Sequence, residues 1–150
     1  MSTVQPIGVN SVQKFFDEVE AELVSLQSFD TFEMLREIIE YSKVLGEFAA
    51  DLMTEDNLVH GCQSTVYIYA ERDGDAVVFK AYSDAQVLRG YLGILLQGLN
   101  GMQCEDFLHH AKGIVEGFAK RTNIAASVTP TRANAFGNII ELMEKKVNEL

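Results

Sequence analysis

The sequence predicts an α+β domain in which a small antiparallel sheet is covered by helices lying before and after it in the chain. Three observations carry that expectation. Apolar residues recur at steps of three and four from Val12 to Leu45. Between Thr65 and Tyr82 the chain turns β-branched and aromatic around a central Asp-Gly. From Val87 to Val147 the helical spacing returns.

Taken in order, Val12, Phe15, Phe16, Val19 and Leu23 form one stripe, which predicts an amphipathic helix that Ser25 to Ser28 interrupt. Asp30 stands three residues before Glu33, an aspartate form of the capping box. It predicts a second helix over about 31–47, with Met34, Leu35, Ile38, Ile39, Tyr41 and Leu45 on its apolar side and a further turn to Met53. Residues 54–57 form a polar connector. The runs 65–70 and 76–82 flank Glu71-Arg72-Asp73-Gly74-Asp75 and predict a hairpin over about 63–82. The segment 57–60 is left as a candidate short strand beside it.

Ser83, with Gln86 three residues on, predicts the cap of a helix that buries Val87, Leu88, Tyr91, Leu92, Leu95 and Leu99 and ends at Asn100-Gly101. Helical regions follow at about 103–110 and 113–121, the second with Ile114, Val115 and Phe118 inward. The last helix is expected to open with Thr129 as cap and Pro130 at its first position, and to bury Ala133, Phe136, Ile139, Ile140, Met143 and Val147.

At 150 residues and 47% hydrophobic, the chain suits one domain over 1–150 with a real core. Twelve Lys and Arg against twenty-two Asp and Glu leave a net charge of −10. Such acidity argues against nucleic-acid and anionic-membrane partners. No apolar run approaches the roughly 18 residues of a membrane span. The opening MSTVQPIGVNSV lacks the basic and then apolar order of a secretory leader. A reducing cytoplasm is therefore the expected location. Two cysteines, Cys62 and Cys104, are too few for a disulfide framework or a four-thiolate metal site.

Cys62 lies in Val59-His60-Gly61-Cys62-Gln63-Ser64, between the polar connector and the first strand. Gly61 frees the backbone for tight turning or close approach, and Gln63 and Ser64 add polar groups. From the residues alone two readings stand open: a reachable nucleophile, or a buried cysteine acting as a small hydrophobe. Cys104 sits beside Glu105 and Asp106, where acidic neighbours disfavour a thiolate, so structural filler is expected there. His109 and His110 are adjacent and on a helix would not share a face, which makes them poor joint metal ligands. No phosphate-binding glycine loop is present.

The run Asn57-Leu58-Val59-His60-Gly61-Cys62-Gln63-Ser64-Thr65-Val66-Tyr67-Ile68 resembles the N-x-[VI]-x-G-C-Q-S-x-V-W-[IL] signature of the SufE/CsdE family of sulfur acceptors. Tyr82-Ser83-Asp84-Ala85, then Val87 and Arg89-Gly90, resembles its S-D-A segment, and Val128-Thr129-Pro130-Thr131-Arg132-Ala133-Asn134-Ala135 its [ST]-P-[ST]-R run. A looser match lies at Phe32-Glu33 and at residues 38–42. The blocks keep the family's order over about 30–147. Tyr67, Val128 and Ala135 depart from the usual Trp, Leu and Gly, all at positions read as packing.

The resemblance implies a covalent sulfur carrier. It would dock on a pyridoxal-phosphate cysteine desulfurase, stimulate it, accept persulfide sulfur on Cys62 and pass it to a downstream iron–sulfur scaffold. No metal or cofactor of its own is implied, and either a monomer or a homodimer is compatible with it. It also places Asp84 and Arg132 near the cysteine or on the partner-facing surface. Gly61, His60, Gln63 and Ser64 join them as supporting or partner-binding positions. His60 and Arg132 are the candidates to favour a thiolate in so acidic a chain. Against this stand a cysteine hydrolase using His60, His109 or His110 as base, and an iron–sulfur scaffold, which normally needs several thiolates.

Overall fold

The structure is a computed structural model that describes the backbone of residues 6–127 and 130–150, and the side chains within those bounds except at 127 and 130–134. Helix α1 (Val9–Phe29) buries Val12, Phe16, Val19 and Leu23, at steps of four, three and four. The expected interruption at Ser25 to Ser28 does not occur. Ser28 Oγ donates to the Ser25 carbonyl at 2.6 Å, so this serine bonds back to its own helix instead of ending it. The helix stops at Asp30, where an extended backbone (φ −162°) turns the chain, and the Asp30 carboxylate accepts from the Phe32 N–H at 2.9 Å to cap α2 (Thr31–Glu40).

α2 is shorter than the spacing predicts. It tightens into a 3₁₀ turn over Tyr41–Val44, and Gly46 follows in the left-handed region at φ +64°. Helix α3 (Gln86–Leu99) crosses here at very short range. A Cβ on Gly90 would sit 2.1 Å from the Ile38 carbonyl oxygen, and one on Gly93 1.9 Å from that of Tyr41. Backbone packs on backbone at this crossing, which only glycine allows. α3 is buried almost all round and forms the middle of the core, while Val87 is only half-buried.

The hairpin consists of β1 (Val66–Asp73) and β2 (Ala76–Ser83), paired antiparallel from Val66 opposite Ser83 to Asp73 opposite Ala76. The two loop residues are Gly74 and Asp75, not Asp73 and Gly74, with Gly74 at φ +64°. Glycine at the first loop position suits the twist of a two-residue hairpin. The strand starts at Val66 rather than near residue 63. The candidate strand at 57–60 reduces to a single bridge between Leu58 and Tyr67. On the inner face Val66, Ile68, Val77, Phe79 and Ala81 join the core. On the outer face Phe48 stacks over Tyr67 with ring centroids 6.1 Å apart and leans on Tyr82 at 6.3 Å.

Ser83 does not cap α3 directly. Its Oγ accepts from the Ala85 N–H at 3.2 Å in a turn just before the helix. After α3, Asn100 brackets Phe79, accepting from its N–H at 2.7 Å and donating to its carbonyl at 3.3 Å. Then α4 (Cys104–Asp106), a π turn (Phe107–Ala111) and α5 (Lys112–Thr122) run on as one rod that ends at Asn123, φ 54°. α6 (Pro130–Asn148) buries Phe136, Ile139, Ile140, Met143 and Val147. The expected Thr129 cap and inward Ala133 side chain lie outside the described residues. The α+β class, with helices from both ends of the chain around one hairpin, is what the sequence predicts.

Candidate functional site

The loop that carries Cys62 runs from the 3₁₀ turn Glu55–Asn57 to the start of β1, and it is tied at several points. Val59 N–H donates to the Val66 carbonyl at 2.9 Å, which closes the loop at its base. Asn57 is buried; its amide donates to the Leu52 carbonyl at 2.8 Å and its Oδ1 accepts from Lys146 Nζ of α6. From two turns earlier on α6, Asn138 Nδ2 donates to the His60 carbonyl at 3.0 Å. On the far side Asp84 Oδ1 accepts from the Thr65 N–H at 3.1 Å, and the Asp84 N–H returns a bond to the Thr65 carbonyl at 3.4 Å. The loop is thus anchored at residues 57, 60 and 65, before and after the cysteine.

Gly61 makes this arrangement possible. Its φ is +84°, and a Cβ there would come within 2.8 Å of Asn138 Nδ2. The left-handed backbone favours glycine here, and a side chain would push the Asn138 amide aside. Cys62 follows as a free thiol, half-buried and packed against the hydrophobic core. Burial pushes its thiol above the ordinary value, because the thiolate loses hydration there. Gln63 is exposed and Ser64 half-buried.

His60 is exposed and its Nε2 lies 3.2 Å from Glu55 Oε1. Arg132 falls in the first turn of α6, and its side chain lies outside the described residues. Arg89 packs at 5.8 Å over the Tyr82 ring and donates to the Ser83 carbonyl at 3.3 Å, bracing the turn that presents Asp84. Cys104 is half-buried against the core, and its N–H donates to the Asp75 carbonyl at 2.8 Å. His109 Nδ1 pairs with the Glu105 carbonyl at 2.8 Å. Among the described residues no group of three or more Cys, His, Asp or Glu side chains is placed to hold a metal.

Sequence reasoning missed Asn138 and Lys146, the two α6 side chains that reach the loop. A signal existed in their separation: 146 − 138 is eight residues, a little over two helical turns, so both occupy one face. Asn57 opens the signature quoted above, but nothing in the sequence showed that it links Leu52 to α6.

Residues 20–147 match the SufE model, described as an Fe-S metabolism associated domain. The chain belongs to the SufE family. A SufE-like protein of Synechocystis is 34% identical over 110 residues, which span 73% of this chain and 67% of that protein. SufE-like protein 1, chloroplastic/mitochondrial, of Arabidopsis thaliana is 32% identical over 111 residues, 73% of this chain but 29% of that longer protein. The solution structure of a hypothetical protein from Thermus thermophilus superimposes with a TM-score of 0.67 at 19% identity, over 90% of this chain and 94% of the other, which shows a shared fold. Within this SufE domain no described helix is long and apolar enough to cross a membrane.

Proposed function

We propose that this chain accepts sulfur from the cysteine persulfide of a pyridoxal-phosphate cysteine desulfurase onto Cys62, stimulates that enzyme, and passes the sulfur on to an iron–sulfur scaffold in the cytoplasm. Membership of a family tied to Fe-S metabolism supports the pathway. The observation that carries the transfer step is a half-buried thiol on a loop tied down at both ends by side chains.

In the step itself the Cys62 thiolate attacks the outer sulfur of the donor persulfide. The bond between that sulfur and the desulfurase cysteine breaks, and the desulfurase departs as a thiolate. One sulfur–sulfur bond replaces another, the proton of Cys62 goes to solvent, and there is no net oxidation. The chain needs no cofactor for this. While the loop is tied down, burial raises the thiol's pKa and so disfavours the reactive thiolate. Lifting it on docking hydrates the thiolate, so access and nucleophilicity rise together. Each neutral tie is worth only about 1 kcal/mol net, a small part of what a docked partner supplies.

The hydrolase reading requires a base within about 3 Å of sulfur and a third group that orients it; the transfer reading needs only the thiol. A cysteine desulfurase assayed for alanine output tests the proposal. Turnover should rise when the wild-type chain is added and should not rise with Cys62→Ser. A wild-type chain that leaves turnover unchanged contradicts it.

A further inference from the structure

In an antiparallel pair, opposed residues point their backbone groups either at each other or away together. On β2 the outward kind is fixed by bonds made outside the hairpin. Val77 donates to the Met102 carbonyl and accepts from the Gly101 N–H, both at 2.9 Å, and Phe79 is bracketed by Asn100. Their opposites on β1 are Arg72 and Ala70, so the N–H and C=O of both point away from β2. Earlier on that same edge Leu58 bridges to Tyr67 and Val59 donates to Val66. The 3₁₀ turn Glu55–Asn57 then carries that neighbouring segment off the edge. Among the described residues no backbone group takes its place at Ala70 or Arg72. Such an edge is a template for another extended chain.

The edge is open to solvent, with Ala70 half-buried and Arg72 exposed. Ala70 lines a hollow of about 440 Å³ with Thr54, Asp56 and the α6 residues Lys145, Lys146 and Glu149. Arg72 lines a second hollow of about 500 Å³, and both reach Leu150 beyond the end of α6. The four charged side chains Asp56, Lys145, Lys146 and Glu149 form no ion pair among the described residues. Burial lowers the Lys146 pKa, while the Glu149 and Asp56 carboxylates stand near enough to act against it. Unpaired charges of both signs thus line one wall of a backbone edge that lacks its strand.

We propose that an extended segment of a partner protein adds to the hairpin as a third strand beside β1, bonding through its backbone to Ala70 and Arg72 and turning a basic and an acidic side chain toward the charged wall. With the Glu55–Asn57 turn on one side and α6 on the other, the edge suits a single strand better than the helix-backed hairpin of a second copy. The site does not involve the Cys62 sulfur and stands apart from the sulfur-transfer reading.

Titrating the full chain with the acetylated, amidated heptapeptide TVKVEVT tests this by NMR. Saturable shifts and slowed hydrogen exchange are expected at the Ala70 and Arg72 amides. The same peptide methylated on every internal amide nitrogen should not bind, and TVSVSVT should bind roughly threefold more weakly, the worth of exposed ion pairs. Ala70→Pro removes an outward N–H without touching the β1–β2 bonds, and should weaken binding about fivefold or more. No saturable shifts with TVKVEVT, equal binding of the methylated or the serine peptide, or a folded Ala70→Pro that binds as wild type would overturn the proposal. So would a dimer of the free chain, seen by sedimentation, that Ala70→Pro abolishes. The methylated peptide keeps the proposal decidable should Ala70→Pro fail to fold.

Discussion

Burial raises the Cys62 thiol above its ordinary pKa, so alkylation of the native protein at Cys62 should follow a pH profile displaced upward from that of the unfolded chain. The measurement is the rate of reaction with a small alkylating reagent, located by peptide mass, in buffer and in denaturant. Coincident profiles would remove the shielding. The sign for stability follows: the protonated thiol's contribution is whole below the unfolded pKa and is lost as pH rises through the folded value. Gly61→Ala places a side chain at φ +84° and 2.8 Å from Asn138. It should cost about 1–3 kcal/mol in denaturant unfolding. At this scale the residues around Cys62 left its role open, and only the resemblance of three ordered blocks singled it out. The partner of His60 was not legible, since Glu55 lies in a preceding turn whose geometry no local spacing reveals.

The loop ties belong to two elements, α6 and the turn before α3, and they can be cut separately. Asn138→Ala frees the His60 carbonyl and Asp84→Ala frees the Thr65 N–H. Each should cost about 1–2 kcal/mol and speed Cys62 alkylation without moving the far side of the hairpin, as read by hydrogen exchange. Unchanged alkylation in both would sever the ties from the thiol's protection. Between α1 and α2, the Glu37 carboxyl is raised above its ordinary pKa, first by its hydrogen bond with Glu22, then by burial and by the charges of Glu22 and Glu40. A raised folded pKa means stability present at low pH and lost as pH rises through it. Glu37→Gln should therefore raise Tm at pH 7, and the gain should vanish near pH 4. Helix existence was legible throughout from apolar spacing. The errors came where non-local contacts decide: the serines at the end of α1 stay helical, and α2 stops where the glycines of α3 press on the Ile38 and Tyr41 carbonyls.

At the scale of the molecule, the switch from helical to alternating period and back was enough to specify the α+β class, because each period dictates which faces must be buried. What the periodicity could not convey is that α6 closes over the cysteine loop, since residues 57 and 146 meet only through the folded core. Cys62 is proposed to carry sulfur delivered by another protein. Incubating the chain with a cysteine desulfurase, pyridoxal phosphate and cysteine, then measuring intact mass, tests it most directly. The mass of one added sulfur atom is expected on wild type and on Cys104→Ser, and none on Cys62→Ser. No added sulfur on wild type, or sulfur that persists on Cys62→Ser, would contradict it.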